Sequence, residues 1–454
     1  MKTIGRYEVI GRLGRGGMST VYKAKAPVTG RLVALKILQP RDEIFADLVG
    51  EARLKEIFVE EAKIMGNLSH DHVAKIIDCD EHEGQPFIVL EYFAHSIGAL
   101  IGESYRVEAP SRIISAAKTR TYLIQALKGL ERLHFAGIVH RDIKPFNLML
   151  TNDDRIKIID FGLSRVRGEE KMVIPGMQVG SPYYAAPEQE KDPKRADDRA
   201  DLFSLGVMAY RMLTGQLVDR RQGDILPPSF LNSELGSEAV ESSEWDKCIM
   251  KSLAVSPDHR YTNAQEMRLA FETLPLAFRK NCCESKVHSL QNTRREQRAC
   301  RKEPCRVMFK DIRLLLGLDE LLRPLQYATQ DFEVAGPLVA FEKNSDLYWQ
   351  RRGSGFTLDW QQAKEYVCHL NGINWQGRNS WRLPTLEETF AVLKPPLHGV
   401  ACSGWPLFDS SVHWLWTSDH CTKKQAWMVD VVESFFDRLD IDGVASVCAV
   451  SSGS

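Results

Sequence analysis

The segment His140-Arg141-Asp142-Ile143-Lys144-Pro145-Phe146-Asn147 decides how the rest of the chain is read. It sets an acid, a lysine and an amide close together, after a helix-like run and ahead of the apolar Leu148-Met149-Leu150. Further on, the β-branched run Ile156-Lys157-Ile158-Ile159 delivers Asp160-Phe161-Gly162. An Asp and an Asn that converge near a second Asp can hold hard divalent cations through oxygen. One carboxylate is then left to orient a hydroxyl nucleophile, which is what phosphoryl transfer from ATP requires. A lone His-Arg-Asp would be a chance tripeptide; the order and spacing of the whole set carry the signal.

The chain around it has 454 residues, enough for two or three domains. With 44% hydrophobic and 26% charged residues and a formal net charge of -1, it has the composition of a soluble globular protein. That balance gives no general pull towards nucleic acid or an anionic membrane. The opening Met1-Lys2-Thr3-Ile4-Gly5-Arg6 has no apolar core, so a secretory signal is not expected. No uncharged apolar run reaches the roughly 18 residues that a membrane-spanning helix needs. The 10 cysteines are expected to be free thiols in a cytoplasmic protein.

Upstream, the sequence from Tyr7 to Lys25 alternates like a hairpin around Gly11, Gly14, Gly16 and Gly17. Such a turn can bring backbone N–H groups against phosphate oxygens. The strand-like Leu32-Val33-Ala34-Leu35-Lys36-Ile37 carries one lysine among apolar residues. Phe58, Ala62 and Met65 recur with helical spacing and carry Glu60 and Glu61 with them. A strand, Pro86 to Leu90, runs into Glu91-Tyr92-Phe93, and a long helix pattern covers Ile113 to Phe135. Downstream lie Gly180-Ser181-Pro182-Tyr183-Tyr184-Ala185-Ala186-Pro187-Glu188, then Asp201-Leu202-Phe203-Ser204-Leu205-Gly206, then Pro257-Asp258-His259-Arg260.

Taken together, residues 7 to 274 resemble the bacterial eukaryotic-type (Hanks-type) serine/threonine protein kinases. The resemblance implies an α+β, bilobal protein kinase fold over residues 1–275. Its nucleotide pocket would be lined by Leu13, Gly14, Gly16, Val21, Ala34, Leu90, Glu91, Phe93 and Met149. Leu90 would be the gatekeeper, and the backbone of Glu91 to Phe93 the hinge that meets the adenine. Ser19 stands where many members have a third glycine. Lys36 would grip the α- and β-phosphates of ATP and pair with Glu61, from which Glu60 is separated only by register. Asp142 would orient the acceptor hydroxyl, and Lys144 is the lysine typical of serine/threonine kinases. Asn147 and Asp160 would hold Mg²⁺, with Mn²⁺ as an alternative, while Glu188 and Arg260 would form a structural pair.

The implied activity is transfer of the ATP γ-phosphoryl group to Ser or Thr hydroxyls of protein substrates. The alternative is a nucleotide-sensing pseudokinase scaffold, which would be expected to have lost Lys36, Asp142 or Asp160. Residues Arg165 to Gly180 contain no hydroxyl side chain, so activity is expected without phosphorylation of that loop.

Residues 276–330 read as a basic linker. Nine basic residues face three acidic ones between Leu276 and Arg306. Cys282, Cys283, Cys300 and Cys305 lack the paired C-x2-C turns of zinc sites. Asp311 to Leu325 could form a short amphipathic helix.

Residues 331–454 form a separate, tryptophan-rich domain. Leu347-Tyr348-Trp349-Gln350, a helix from Leu358 that reaches Cys368, Trp381-Arg382-Leu383-Pro384-Thr385 and Trp416-Thr417-Ser418 follow in order. Thr385 with Glu388 reads as a capping box. From Gly336 to Val450 this order is similar to the Lcl C-terminal domain family, which implies a small mixed α/β fold related to C-type lectins. The module would recognise an unknown ligand or protein partner. Trp360, Trp381 and Trp416 are expected in the core, Trp405 and Trp414 partly exposed, and Cys368 and Cys448 as thiols.

Overall fold

Six strands, paired antiparallel, begin the fold of the computed structural model. They are β1 (Thr3–Ile4), β2 (Tyr7–Arg15), β3 (Ser19–Lys25), β4 (Leu32–Leu38), β5 (Ile76–His82) and β6 (Gln85–Glu91), in the order β1-β2-β3-β4-β6-β5. The structure describes residues 2–16, 18–40, 50–103, 107–160, 165–166, 182–192, 196–218, 225–232, 235, 243–274, 301–395 and 412–452.

Side chains of a strand alternate between faces, and here that alternation sorts the site. Val33 and Leu35 of β4 join Ile4, Tyr7, Ala24, Phe87 and Val89 in one core cluster. Lys36 therefore points to the opposite face, where helix α1 (Glu51–Gly66) packs Leu54, Phe58 and Ala62 against Leu38 and Ile88. Glu61 lies on that buried stripe of α1, one residue before Ala62.

The second half of this unit is helical. After β7 (His95–Ser96) come α2 (Ile97–Ile101), α3 (Ala116–Phe135), β8 (Ile138–Val139), β9 (Leu148–Leu150), β10 (Ile156–Ile158) and β11 (Arg165–Val166). The helices α4 (Pro187–Lys191), α5 (Asp198–Thr214), α6 (Pro228–Leu231), α7 (Glu244–Ser252) and α8 (Ala264–Glu272) complete it. Helix α5 is buried on nearly every side, as a central helix must be. Asp197 caps its N-terminus by accepting from the Arg199 N–H, and Gly215 ends it in the left-handed conformation at φ 71°. Gly206 is required by packing: a Cβ there would lie 2.1 Å from Ser252 Oγ of α7.

The chain divides into two compact units. The first is Met1–Pro110, Arg120–Leu231 and Ser237–Leu274; the second gathers Ser111–Thr119, Asn232–Gly236 and Pro275–Ser454. These bodies do not coincide with the segments 1–275, 276–330 and 331–454 expected from the family resemblances and the basic linker. Residues 301–330 contribute Val307, Ile312, Leu316, Leu318 and Leu322 to one core with Leu347, Trp349, Trp427, Phe436 and Val450. Cys282, Cys283 and Cys300 lie outside the described residues.

In the second unit, α9 (Ile312–Leu316) occupies only the start of the stretch Asp311 to Leu325 expected as a helix, because Gly317 ends it in the left-handed conformation. The four-stranded sheet is β12 (Phe332–Val334), β13 (Val339–Glu342), β14 (Leu347–Gln350) and β18 (Val450–Ser452). Between β14 and β18 come α10 (Trp360–Gly372), α11 (Leu386–Val392) and the sheet of β15 (Trp414–Thr422), β16 (Gln425–Asp430) and β17 (Phe435–Asp440). Both units mix helices with mainly antiparallel sheets, so the α+β class stands. Thr385 and Glu388 form the capping box that opens α11.

Trp381 and Trp416 are buried as expected, while Trp360 is half-buried with its Nε1 donating to the Thr417 carbonyl at 3.0 Å. Trp414, expected to be partly exposed, is buried instead, because its Nε1 finds the fully buried Asp430 carboxylate at 3.0 Å. An indole with its N–H satisfied can enter a core at little polar cost. Trp405 lies outside the described residues. Cys368 is exposed and Cys448 buried, both as free thiols.

Candidate active site

Lys36 is held from two sides. Its Nζ lies 2.8 Å from Glu61 Oε1 and 2.9 Å from Asp160 Oδ1, and its side chain is almost entirely buried. Burial alone would push the ammonium pKa down, but the carboxylates of Asp160 and Glu61 outweigh it and the net shift is upward. In return Lys36 holds the Asp160 carboxyl well below the usual carboxylate range. The geometry chooses Glu61 over Glu60 as the partner of Lys36, because Glu61 shares the packed face of α1. On the sheet, Val21 and Ile88 flank Lys36 directly, and Ala34 pairs with Leu90.

The catalytic-loop candidates converge around one carboxylate. Lys144 Nζ donates to Asp142 Oδ2 at 2.6 Å, and Asn147 Nδ2 donates to the same oxygen at 3.0 Å and to the Asp142 carbonyl at 2.8 Å. With its amide nitrogen committed to Asp142, Asn147 has its amide oxygen to offer a cation. The Asn147 oxygen and the Asp160 carboxylate form an all-oxygen donor set. That chemistry fits Mg²⁺, which takes one or two protein ligands and completes its shell with phosphates and water.

Backbone anchors hold this loop in place. His140 Nδ1 accepts from the Asp142 N–H at 3.2 Å, so its Nε2 bears the hydrogen and donates to the Ile159 carbonyl at 3.0 Å. The Ile159 N–H donates to the Asn147 carbonyl at 3.0 Å. The ring of His140 thus ties the loop of Asp142 to the chain that delivers Asp160. Asp201, fully buried near the start of α5, accepts from the backbone N–H groups of His140 and Arg141 and from His134 Nε2. Gln189 Nε2 donates to the Arg141 carbonyl at 2.7 Å. Arg141 (φ 66°) and Asp160 (φ 63°) both sit in the left-handed region. Non-glycine residues enter it at a cost that surrounding contacts must offset.

The glycine hairpin pairs Gly14 with Val21, and the Gly16 N–H donates to the Ser19 carbonyl at 2.8 Å. Leu13 is exposed, Ala34 buried, and Val21, Leu90, Phe93 and Met149 are half-buried. The Glu91 carboxylate accepts from the Lys75 N–H at 3.1 Å and has Lys157 Nζ at 3.8 Å. Glu188 and Arg260 meet in a two-pronged ion pair at 2.6 and 2.7 Å. Phe161, Gly162, Ser164, Ser181 and the hydroxyl-free loop lie outside the described residues, apart from Arg165 and Val166.

Local pattern in the sequence assigns no role to His134, His140 and Gln189, or to the buried group of Glu103, Tyr184 and Arg211. Their spacing follows no local period, since each has a partner in a distant part of the chain.

This fold and this grouping of side chains are those of a protein kinase. The model of the protein kinase domain matches residues 7–271, and the chain belongs to that family. The model of the Lcl C-terminal domain matches residues 339–448, so a second domain follows the first. A probable serine/threonine-protein kinase of Streptomyces coelicolor is 34% identical over 285 residues, covering 59% of this chain and 40% of that protein. One from Clostridium acetobutylicum is 31% identical over 274 residues, covering 58% and 39% respectively. The serine/threonine-protein kinase Pkn1 of Myxococcus xanthus is 30% identical over 281 residues, covering 59% and 38%. The chain thus spans about two fifths of the length of the curated relatives it matches. Among the described residues no helix is long and apolar enough to cross a membrane.

Proposed function

We propose that this chain is an ATP-dependent serine/threonine protein kinase whose C-terminal Lcl-type, lectin-like module recognises a ligand or protein partner. The observation that carries the reading is the convergence of Lys144 and Asn147 on Asp142, beside the Lys36–Glu61–Asp160 chain. In this reading Asp142 accepts a hydrogen bond from the acceptor hydroxyl and aims its oxygen at the γ-phosphorus. Lys144 balances the charge that collects there. Lys36, fixed by Glu61, holds the α- and β-phosphates, and the glycine hairpin lies over them. Asn147 and Asp160 would hold Mg²⁺, or Mn²⁺ in its place, which supplies neutralisation of phosphate charge. Because the transition state is loose, position and charge provide the rate.

Assignment to Ser and Thr acceptors is supported by Lys144 and by the names of the curated relatives. A cytoplasmic location belongs to the same proposal, on the ground that the reaction consumes ATP and that the described cysteines are free thiols. No observation favours the nucleotide-sensing scaffold, since holding ATP would not call for the contacts made to Asp142. Incubation with γ-labelled ATP and a generic Ser/Thr protein substrate tests the proposal. Asp142→Asn should lower transfer by about 10²–10⁴-fold while nucleotide affinity stays near that of the unaltered chain. Transfer by Asp142→Asn at the original rate would overturn it.

A further inference from the structure

Two carboxylates of the second unit are fully buried at one hairpin turn, where side chains ordinarily meet water. Asp430 ends β16, and Glu433 stands in the turn that leads to β17. A buried charge without partners is strongly destabilising. Asp430 finds most of its partners close by. Its Oδ1 accepts from the N–H groups of Val432 and Glu433 at 2.9 and 2.8 Å, and its Oδ2 from the Trp414 indole at 3.0 Å. Glu433 reaches a segment 318 positions earlier in the chain.

That segment is Ser111–Thr119, which belongs to the second unit. The Ser115 hydroxyl donates to Glu433 Oε1 at 2.9 Å, and the Ser115 N–H donates to Oε2 at 3.4 Å. Lys118 Nζ stands 3.7 Å from Asp430 Oδ2. The Arg112 guanidinium lies 3.9 Å from the centre of the Phe435 ring, with its Nε donating to the Leu321 carbonyl at 2.7 Å and Asp437 at 3.8 Å. Arg323 donates to the Ile113 carbonyl at 2.5 Å. Arg112, Ser115 and Lys118 recur every third residue, a spacing at which helical side chains are neighbours. Arg112 and Lys118 are themselves buried, so opposite charges meet where water is excluded.

The Ser115 carbonyl accepts from the Thr119 N–H at 2.9 Å, so α3 starts from Ser115. The first N–H groups of a helix lack partners within it, and negative charge beside them is favourable. Helix α3 has no acidic residue in its first turn; Glu433 and Asp430 supply that charge from far along the sequence. The helix begins in the second unit and runs into the first. In its last turn His134 reaches Asp201, which holds the backbone of His140 and Arg141 beside Asp142.

We infer that the β16–β17 turn of the C-terminal module is an interaction surface for a helix front of the pattern Arg-x-x-Ser-x-x-Lys, and that its partner is this chain's own Ser111–Thr119. By capping α3 the module positions the helix on which the catalytic loop leans. The catalytic consequence rests on the kinase reading above; the capping contact stands without it.

The test uses the full chain and reads hydrogen exchange at the front of α3 by mass spectrometry, with kcat and KM measured on a generic Ser/Thr protein substrate. Ser115→Ala and Glu433→Ala should each speed exchange over residues 116–119 about tenfold, as expected for loss of a hydrogen bond to a charged group. The double variant should exchange no faster than the more affected single one. Glu433→Gln, whose amide oxygen still accepts from Ser115, should keep both the protection and the turnover. In Ser115→Ala kcat should fall about threefold to tenfold at unchanged KM for ATP, a fraction of the roughly 10²-fold that a shift of about 1 Å in a catalytic group costs. Ser115→Ala removes a single hydroxyl, so it decides the matter even where Glu433→Ala fails to fold. Unchanged exchange in Ser115→Ala, or additive effects in the double variant, would overturn the interaction. Faster exchange at an unchanged kcat would overturn the positioning role. A chain that binds ATP yet phosphorylates no protein would overturn the kinase reading, while the exchange data would still decide the capping contact.

Discussion

Replacing Asp201 by Asn keeps the shape of the side chain and exchanges one acceptor oxygen for a donor. In the structure Oδ1 accepts from the Arg141 N–H at 2.7 Å, and Oδ2 accepts from the His140 N–H at 2.9 Å and His134 Nε2 at 2.8 Å. With the new NH2 group at the Oδ2 position, two donors would confront it. The cheaper rotamer turns it towards Arg141, which takes the acceptor from the Arg141 N–H and brings the two amide hydrogens into the same buried site. A buried donor left without an acceptor costs about 1–3 kcal/mol, and the remaining bonds lose their charge assistance. Asp201→Asn should therefore cost about 3 kcal/mol, and Asp201→Ala, which removes every acceptor, about 4–5 kcal/mol, in the range for breaking a buried charged pair. At about 2–4 °C per kcal/mol for a domain of roughly this size, the Asn variant should melt about 6–12 °C lower by calorimetry. Turnover should fall too, because a shift of about 1 Å in a catalytic group can cost about 10²-fold. Nucleotide affinity should change little, since Lys36 and Glu61 do not touch Asp201.

Burial alone would raise the Asp201 carboxyl, but His134 and the backbone donors outweigh it and hold it below its usual value. Its stabilisation is thus present above the unfolded-state pKa of about 3.9 and is lost as pH falls through the folded value. The gap in melting temperature between the unaltered chain and Asp201→Asn should narrow below about pH 4. A variant that melts within about 1 °C of the original at neutral pH and turns over within about twofold would refute the anchoring role.

Three further outcomes follow from the contacts. Glu188→Gln leaves the buried Arg260 guanidinium without its charged partner, so thermal or denaturant unfolding should show a loss of about 3 kcal/mol; an unchanged midpoint would count against a structural role. In the second unit, burial pushes the Glu433 carboxyl up, only partly offset by Lys118 and Arg323. A raised carboxyl favours the folded state at low pH and penalises it once ionised, so Glu433→Gln should raise the melting temperature at about pH 7–8 with a gain that fades towards about pH 4. Equal destabilisation at both pH values would refute that. A chain cut after residue 330 should bind a hydrophobic dye and aggregate, because Val307, Ile312, Leu316, Leu318 and Leu322 lose the core they share with Trp349 and Trp427; a monodisperse product with no dye binding would show that residues 301–330 do not depend on the module.

Much of this protein is legible in its amino-acid order. The strands and helices of the first unit follow from period-2 and helical patterns, which place Lys36 on a strand and Glu61 on a helix. Choosing Glu61 over Glu60 requires the packing of Phe58 and Ala62, which sets the rotation of α1. The basic character of Leu276 to Arg306 suggests a solvated linker, followed by a short amphipathic helix over Asp311 to Leu325. The described part of this stretch is folded, because its few apolar residues fill a core whose other members lie up to about 140 residues further on. Composition averages over a window, and five well-placed side chains do not show in the average. Trp414 misleads for a related reason: the Asp430 that satisfies its indole is 16 residues away.

The order of the domains and the class of chemistry follow from the resemblance of the sequence motifs to protein kinases and to the Lcl C-terminal domain, and that resemblance nominates the residues for the chemistry. Which groups meet is settled only when the chain closes on itself. Asp201 reaches the backbone of the catalytic loop across 60 residues, and Arg211 closes on Tyr184 and Glu103 across 27 and 108 residues. Hydrogen bonds and burial depend on distances over a few ångströms, and the chain brings such groups together only once its core has formed.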